Sequence, residues 1–359
     1  MSSEKHSRFL RRTVVALASL CLGSVTVPAQ EIIQREPGLF STPELTAGLD
    51  SVPRNRLVIR SADALSGTVT IHTAEQPGLN VSYVKIARTR ERAKAYDFID
   101  LISLHLTAEA AEARLVMRAP NPAPWITGEE EGMVDVVITV PINCFVEVEC
   151  RQFDLEAVGP LSGLLADRSL GRLSVKRVNG PVELSTANAR ILMEDVTGSV
   201  TAATTNADLI ARRVTITDGT GRFRNEQGAI RIDSLNGNLS VRNNLGSITI
   251  DQFVPTGESN LIRGNAAPVT VDIASMAGGQ VIVSNKYADI ELTVPDTLNA
   301  FYSLKVEEDG QIRTLDLPLR TELVQRNRLN LVSGKGTANI RVSIQGSGNI
   351  LLKGVKTQP

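Results

Sequence analysis

The sequence predicts an all-β chain wound as a β-solenoid, a single-stranded β-helix-like stack with a strand-rich N-terminal part and one short helix. Three observations lead there. First, glycines recur at Gly180, Gly198, Gly219, Gly237, Gly257 and Gly279, spaced by 18, 21, 18, 20 and 22 residues. Second, a small residue follows each of them at a fixed offset of nine: Ala189, Ala207, Gly228, Gly246, Ala266 and Ala288. Third, apolar residues keep register between these marks. Offset four holds Leu184, Ala202, Phe223, Val241, Leu261 and Val283, and offset eleven holds Ile191, Leu209, Ile230, Ile248, Pro268 and Ile290. Each unit reads as two short alternating strands separated by two corners. Alternation puts every second side chain on one face. A period near 20 with two strands per unit marks a solenoid, because one unit cannot bury its own apolar side whereas a stack can. Asn188 and Asn206, with Gly228 and Gly246, are expected at the second corner, where a tight backbone suits Gly and Asn.

Taken in order, residues 1–29 read as a secretory signal peptide. KHSRFLRR is a basic region, TVVALASLCLGSVTV is apolar but too short for a good membrane span, and Val27-Pro28-Ala29 suits cleavage after Ala29. Cleavage removes Glu4, Lys5, Arg8, Arg11 and Arg12, leaving 34 Lys+Arg against 38 Asp+Glu, a net charge of −4. The linear sequence then shows no basic block or stripe, so no nucleic-acid partner is expected. No second apolar run is long enough to span a membrane. Residues 30–53, with Pro37, Pro43 and Pro53, read as an extended leader of low order.

Residues 54–150 read as the first, wider turns of the same architecture. RLVIRSA (56–62), GTVTIHT (67–73) and LNVSYVKIA (79–87) are strands, and RTRERAKAYDFIDLI (88–102) is a helix without Gly or Pro. SLHLTA and ARLVMRA form a hairpin across EAAE. NPAPWITGEEEGM (121–133) is a loop, and VDVVITVPINCFVEVEC (134–150) is two strands broken at Pro141. Cys144 and Cys150 stand six apart on extended chain, which is roughly 20 Å, whereas a disulfide needs Cα atoms within about 7 Å. They cannot pair with each other. A buried thiol or an intermolecular bridge remains open. Residues 151–295 are the repeat coils. The unit at Gly257 fits worst, its Pro268, Val269 and Val271 suggesting a one-residue slip or a bulge. Residues 296–359 supply closing strands, with SIQGSGNILL as a last, degenerate coil. The whole stack is expected to hold seven or eight coils.

GTVTI, VDVVITVPINCFVEVEC, VNGPVELSTANARI with its copies, and SIQGSGNILL together resemble the bacterial "putative adhesin" family, a domain of unknown function, over about residues 55–353. The resemblance implies a right-handed solenoid, export, and an adhesion role. The family has no catalytic residues to carry over. The Asn–Gly corners of the pattern are often Asn–Ala here.

The residues themselves offer little chemistry. His72 and His105 lie far apart in strand-like alternation, and three or four zinc ligands cannot be assembled around them. Glu129, Glu130 and Glu131 are consecutive and point in different directions, unlike staggered calcium ligands. Gly334-Lys335-Gly336-Thr337 lacks phosphate-loop spacing and leads into a strand, so it is a turn. Glu194, Arg212, Arg231, Asp233 and Asp251 are expected to face outward, where two facing carboxylates could serve a glycosidase. Tyr287 is the only Trp or Tyr in the repeats, an unpromising basis for a sugar groove. Ser185, Ser199, Thr201, Thr220, Ser240 and Thr249 suit either solvent or a flat polar binding surface. The leading expectation is therefore an exported, non-catalytic envelope or surface protein without a cofactor. Its location would be the periplasm, the outer surface or the medium, and its partner an envelope glycan or an envelope protein. The alternatives are a carbohydrate-active enzyme and an envelope-stress module binding a membrane protein through an open end strand.

Overall fold

The computed structural model describes residues 31–126, 128–257 and 259–356, with Arg168 described by its backbone alone. The signal-peptide reading lies outside these residues. From Ile32 onward the chain forms one unit built on two long sheets, of 16 and 15 strands, in which parallel pairing dominates. Each coil gives one strand to each sheet. The first sheet runs through Leu173–Asn179, Ile191–Gly198, Leu209–Ile216, Ile230–Gly237 and Ile248–Pro255; the second runs through Val182–Thr186, Val200–Ala203, Gly221–Asn225 and Leu239–Asn243. The parallel register is continuous: Leu173, Ile191, Leu209, Ile230, Ile248, Val269 and Ile290 lie side by side. Leu184, Ala202, Phe223, Val241, Ile262 and Val283 do the same across the interior. All of them are buried. This is the β-solenoid the repeats predict, and burial of each Leu, Ile or Val contributes roughly 1.5–3 kcal/mol.

The fifth unit corrects two assignments. Val269 and Ile262, not Pro268 and Leu261, take the core positions. The slip arises in the corner before it. Gly237 pairs with Pro255, 18 residues on, yet Ser240 pairs with Leu261, 21 residues on, so the connection between the two strands is three residues longer than in the coil before it.

A second irregularity recurs in every regular coil. Arg177, Asp195, Arg213, Ser234 and Gln252 have φ of 58°, 55°, 49°, 62° and 50°, a left-handed conformation uncommon outside glycine. Each follows an outward residue and is itself turned outward, so two adjacent side chains leave the first sheet before the next apolar residue returns to the core. This stacked bulge explains why Val196, Val214, Leu235 and Phe253 are buried although they fall out of phase with Ile191, Leu209, Ile230 and Ile248.

The buried side of the second corner is polar. Asn225, Asn243 and Asn285 are buried and span it: Asn243 Nδ2 donates to the carbonyls of Gly228 (2.8 Å) and Ser247 (3.1 Å), and Asn285 Nδ2 to those of Ala267 (2.9 Å) and Ala288 (3.0 Å). Thr186 and Thr204 occupy the same column with shorter hydroxyl reach, at 3.2 and 3.1 Å from Gly171 and Ala189 carbonyls. These groups tie down corner carbonyls, some of which, such as Gly228, receive no other turn or loop hydrogen bond among the described residues, while Ser247 also accepts the Ile230 N–H at 2.9 Å. Asn243→Ala is expected to cost about 1–3 kcal/mol, read as a lower urea midpoint, because the Gly228 carbonyl loses its side-chain donor and the Ser247 carbonyl keeps only the Ile230 N–H.

The ends depart from the linear order. The strands of residues 56–74 stack between those of residues 113–141 and 145–161. At the other end, Ala338–Ile344 and Ile350–Val355 insert between Gly279–Pro295 and the strands Ala300–Val306 and Ile312–Leu315. SIQGSGNILL is thus an internal coil rather than the last one, and the stack exceeds seven or eight coils because both flanks also coil. Residues 30–53, expected to be of low order, instead form strands Ile33–Glu36, Leu39–Ser41 and Leu45–Leu49; the second and third pair antiparallel with Leu79–Arg88. The helix Arg92–Leu101 buries Ala95, Phe98 and Ile99 and sets Phe98 5.2 Å from the ring of Trp125, whose indole N–H donates to the Ala64 carbonyl at 2.7 Å. Helix and tryptophan plug one end of the core, the capping a solenoid needs.

Candidate binding faces of the solenoid

The corner residues named from the sequence fall into two groups. Gly180, Gly198 and Gly237 have φ of 152°, 146° and 134°, and a Cβ on them would come within 1.9, 2.1 and 2.5 Å of the coil beneath. Gly228 and Gly246 are equally tight, at 2.2 and 2.0 Å from the carbonyls of Ala207 and Gly228. Gly219 and Gly257, with φ of 67° and 78°, lie instead in the extended corners, as Gly279 does at 84°. A Cβ on Gly219 would meet nothing within 4 Å. Asn206 donates to the amide oxygen of Asn188 at 2.5 Å, one rung of a side-chain ladder on the outside of the corner. These residues build the scaffold.

Other candidates are also placed in structural roles. His72 and His105 are exposed on different sheets. Among the described residues, no group of three His, Cys, Asp or Glu is placed to hold a metal ion. Glu129, Glu130 and Glu131 each meet a different cation, Arg90, Lys94 and Arg88 at 3.3–3.4 Å. Gly334 and Gly336 form a turn on Asn299, which accepts the Lys335 amide at 3.2 Å. Cys144 and Cys150 are free and buried, at 0 % and 5 % exposure, and burial pushes both thiols up to about 12. That seclusion leaves neither accessible for an intermolecular bridge.

What remains is the outer surface of the two sheets, and the two differ in charge. On the first sheet, Lys176, Glu194, Arg212, Asp233, Asp251 and Asp272 follow one another on adjacent strands, each about 4.8 Å from the next. The first part alternates in sign. Arg213, on the bulge, bridges back to Glu194 and to Asp195 (2.5 Å), and Lys176 meets Glu194 at 3.2 Å. The Arg213 and Lys176 hydrogen bonds hold Glu194 below the usual carboxylate range, so it is a charged strut at neutral pH. The last part is a run of three aspartates. Desolvation, then the charges of Asp233 and Asp272, raises the Asp251 pKa.

The sign of the Asp251 effect follows from linkage. The folded chain holds this proton more tightly than the unfolded chain, so stability falls as pH rises from the ordinary Asp range through the raised value. Asp251→Asn is therefore expected to raise the melting temperature at pH 7. The gain should vanish near pH 3, roughly one unit below the ordinary Asp pKa, where both proteins are neutral at this position.

The second sheet carries an uneven charge over a long stretch. Its consecutive strands Val200–Ala203, Gly221–Asn225, Leu239–Asn243, Asn260–Arg263, Gly279–Asn285, Ala338–Ile344 and Ala300–Val306 contain Arg222, Arg224, Arg242, Arg263, Arg341 and Lys305, and not one carboxylate. Arg224, Arg242 and Arg263 stand in direct register. The sequence shows no basic stripe because its members are scattered between Arg222 and Arg341 and are balanced in the count by acids elsewhere. Folding assembles one, on a face roughly 30 Å long. Thr201 and Ser240 flank Arg222 on the neighbouring strands.

Fold and surface together define a two-sheet β-solenoid with a mixed-charge face and a basic face. No known family's sequence profile matches the chain, and no curated protein is significantly similar to it. Among solved structures it is similar to a "putative cell adhesion protein" from Clostridium sporogenes, at 9% identity and a TM-score of 0.22 over 87% of this chain and 100% of that one. Two "putative adhesin" structures also match at 11% identity, each over 86% of this chain and 97% of the other. They come from Parabacteroides distasonis (TM-score 0.32) and Bacteroides fragilis (TM-score 0.28).

Proposed function

We propose that this chain is an exported, non-catalytic protein of the bacterial envelope or surface that binds or scaffolds, adhesin-like, through a sheet face made by several coils. The observation that carries this reading is the in-register lattice of outward side chains on a stack locked by buried apolar rows and corner amides. Such a lattice presents many contacts at fixed spacing with little ordering entropy left to lose on binding. One of the two carboxylates best placed for catalysis, Glu194, acts as a charge partner: it is held ionised by Arg213 and Lys176, the opposite of a proton donor poised near neutrality.

The test uses residues 30–359 and isolated envelope material. Saturable retention is expected, with the length distribution of envelope polysaccharides unchanged after prolonged incubation. Reproducible shortening of a polysaccharide, lost in Asp233→Asn or Glu194→Gln, would establish the carbohydrate-active alternative instead.

A further inference from the structure

We propose that the basic face of the second sheet is a binding site for a linear acidic polysaccharide lying along the stack axis, across the strands; this rests on the proposed binding function. In-register like charges on neighbouring strands destabilise a sheet. Arg224, Arg242 and Arg263 form such a column, and only Arg224 has an acid beside it, Glu226 at 3.0 Å. Arg222, Arg242, Arg263 and Arg341 are exposed and make no ion pair among the described residues. The first sheet, built on the same coils, shows that a basic column is not imposed by the fold, since its row alternates from Lys176 to Asp233 and then continues as aspartates. A column of guanidinium groups on a rigid sheet, two of its three without an ion pair among the described residues, fits a polymer that brings repeated anions at a comparable interval, and each free guanidinium can bind a carboxylate, sulfate or phosphate oxygen pair.

The geometry adds a seat. A groove of ≈ 630 Å³ opens beside the column, lined by Arg242, Arg263 and Lys286 together with the amides of Asn244, Asn265 and Gln345, with no carboxylate in its wall. Three cations and three amides converging on one concavity suit an anionic sugar, whose hydroxyls need neutral hydrogen-bonding partners as well as charge. A single nucleic-acid strand would instead need a row of aromatic platforms. Phe301 and Tyr302 are the only aromatics on these seven strands besides Phe223, and Phe223 and Tyr302 point into the core.

The experiment measures binding of residues 30–359 to polygalacturonate, dextran sulfate, neutral dextran and single-stranded DNA at two salt concentrations. Both acidic polysaccharides are expected to bind, more weakly at higher salt as counterion release requires, and neutral dextran is not. Arg242→Gln with Arg263→Gln should weaken binding by roughly tenfold or more. Arg212→Gln with Arg231→Gln, the same charge change on the first sheet, should weaken it less than about twofold, since these arginines lie on the other face. Thermal melts confirm that both variants fold. The second-sheet variant should melt no lower than the parent, because it relieves repulsion. Equal losses in the two variants, no binding to either acidic polysaccharide, or DNA binding about tenfold tighter than both would overturn the proposal. Retention on envelope material that survives Arg242→Gln with Arg263→Gln would leave the binding function standing and remove this site. Shortening of a probe would remove the non-catalytic reading while leaving the site.

Discussion

Gly198→Val is expected to prevent stable assembly of the central coils. At φ 146° a side chain is strained whatever the space, and here the space is also absent: a Cβ would lie 2.1 Å from the carbonyl oxygen of Gly180 in the coil beneath. Backbone carbonyls in a parallel ladder cannot step aside without breaking the pairing of Thr197 with Asn179 and Thr215. Strain of this kind combined with a backbone clash exceeds about 4 kcal/mol. Expression as insoluble protein, or loss of the cooperative urea transition, is the expected outcome. Gly219→Val serves as the comparison. Gly219 keeps a positive φ of 67° but faces open space, so the expected cost is only the conformational one, about 1–2 kcal/mol. Similar stability of the two variants would mean that coils do not stack with Gly198 upon Gly180.

Phe253→Ala is expected to destabilise by about 3–5 kcal/mol. Phe253 is fully buried and lies between Leu235 and Ile273 of the neighbouring coils, so truncation leaves a cavity that two rigid strands cannot close. Because a solenoid's stability is a sum of nearest-neighbour terms, the damage should be local first. Native-state hydrogen exchange should accelerate most in residues 230–273 and least around residues 56–74. Uniform acceleration along the whole chain would indicate a single cooperative core rather than stacked units.

The core of this fold was legible because its signal is local and repeated. The row Leu184, Ala202, Phe223 and Val241 can be read from spacing alone, and the structure places those residues in register. The bulge was present in the sequence as the phase jump from Met193 to Val196, repeated from Ala211 to Val214 and from Ile232 to Leu235. Strict alternation offered no reason to expect two adjacent outward residues there. The buried column of Asn225, Asn243 and Asn285 was hidden by its polarity, since an amide that serves buried carbonyls looks like a solvent residue in a string of letters. The order of the end coils was not legible at all. Strand Ala338–Ile344 pairs with both Gly279–Asn285 and Ala300–Val306, and nothing in its own pattern names its neighbours. The basic face escaped for a related reason: its charges are distant in the chain, and only the register of parallel strands brings them together.

The central claim is that function belongs to a face made by several rungs, and hydroxyl-radical footprinting of the chain bound to envelope material tests it most directly. Protection is expected at residues recurring with the coil period on one sheet, as at Arg222, Arg242 and Arg263, with the opposite sheet unchanged. Protection confined to a single loop, or to the edge strand Arg320–Gln325 with its exposed Val324, would contradict the account and place binding at an end of the stack.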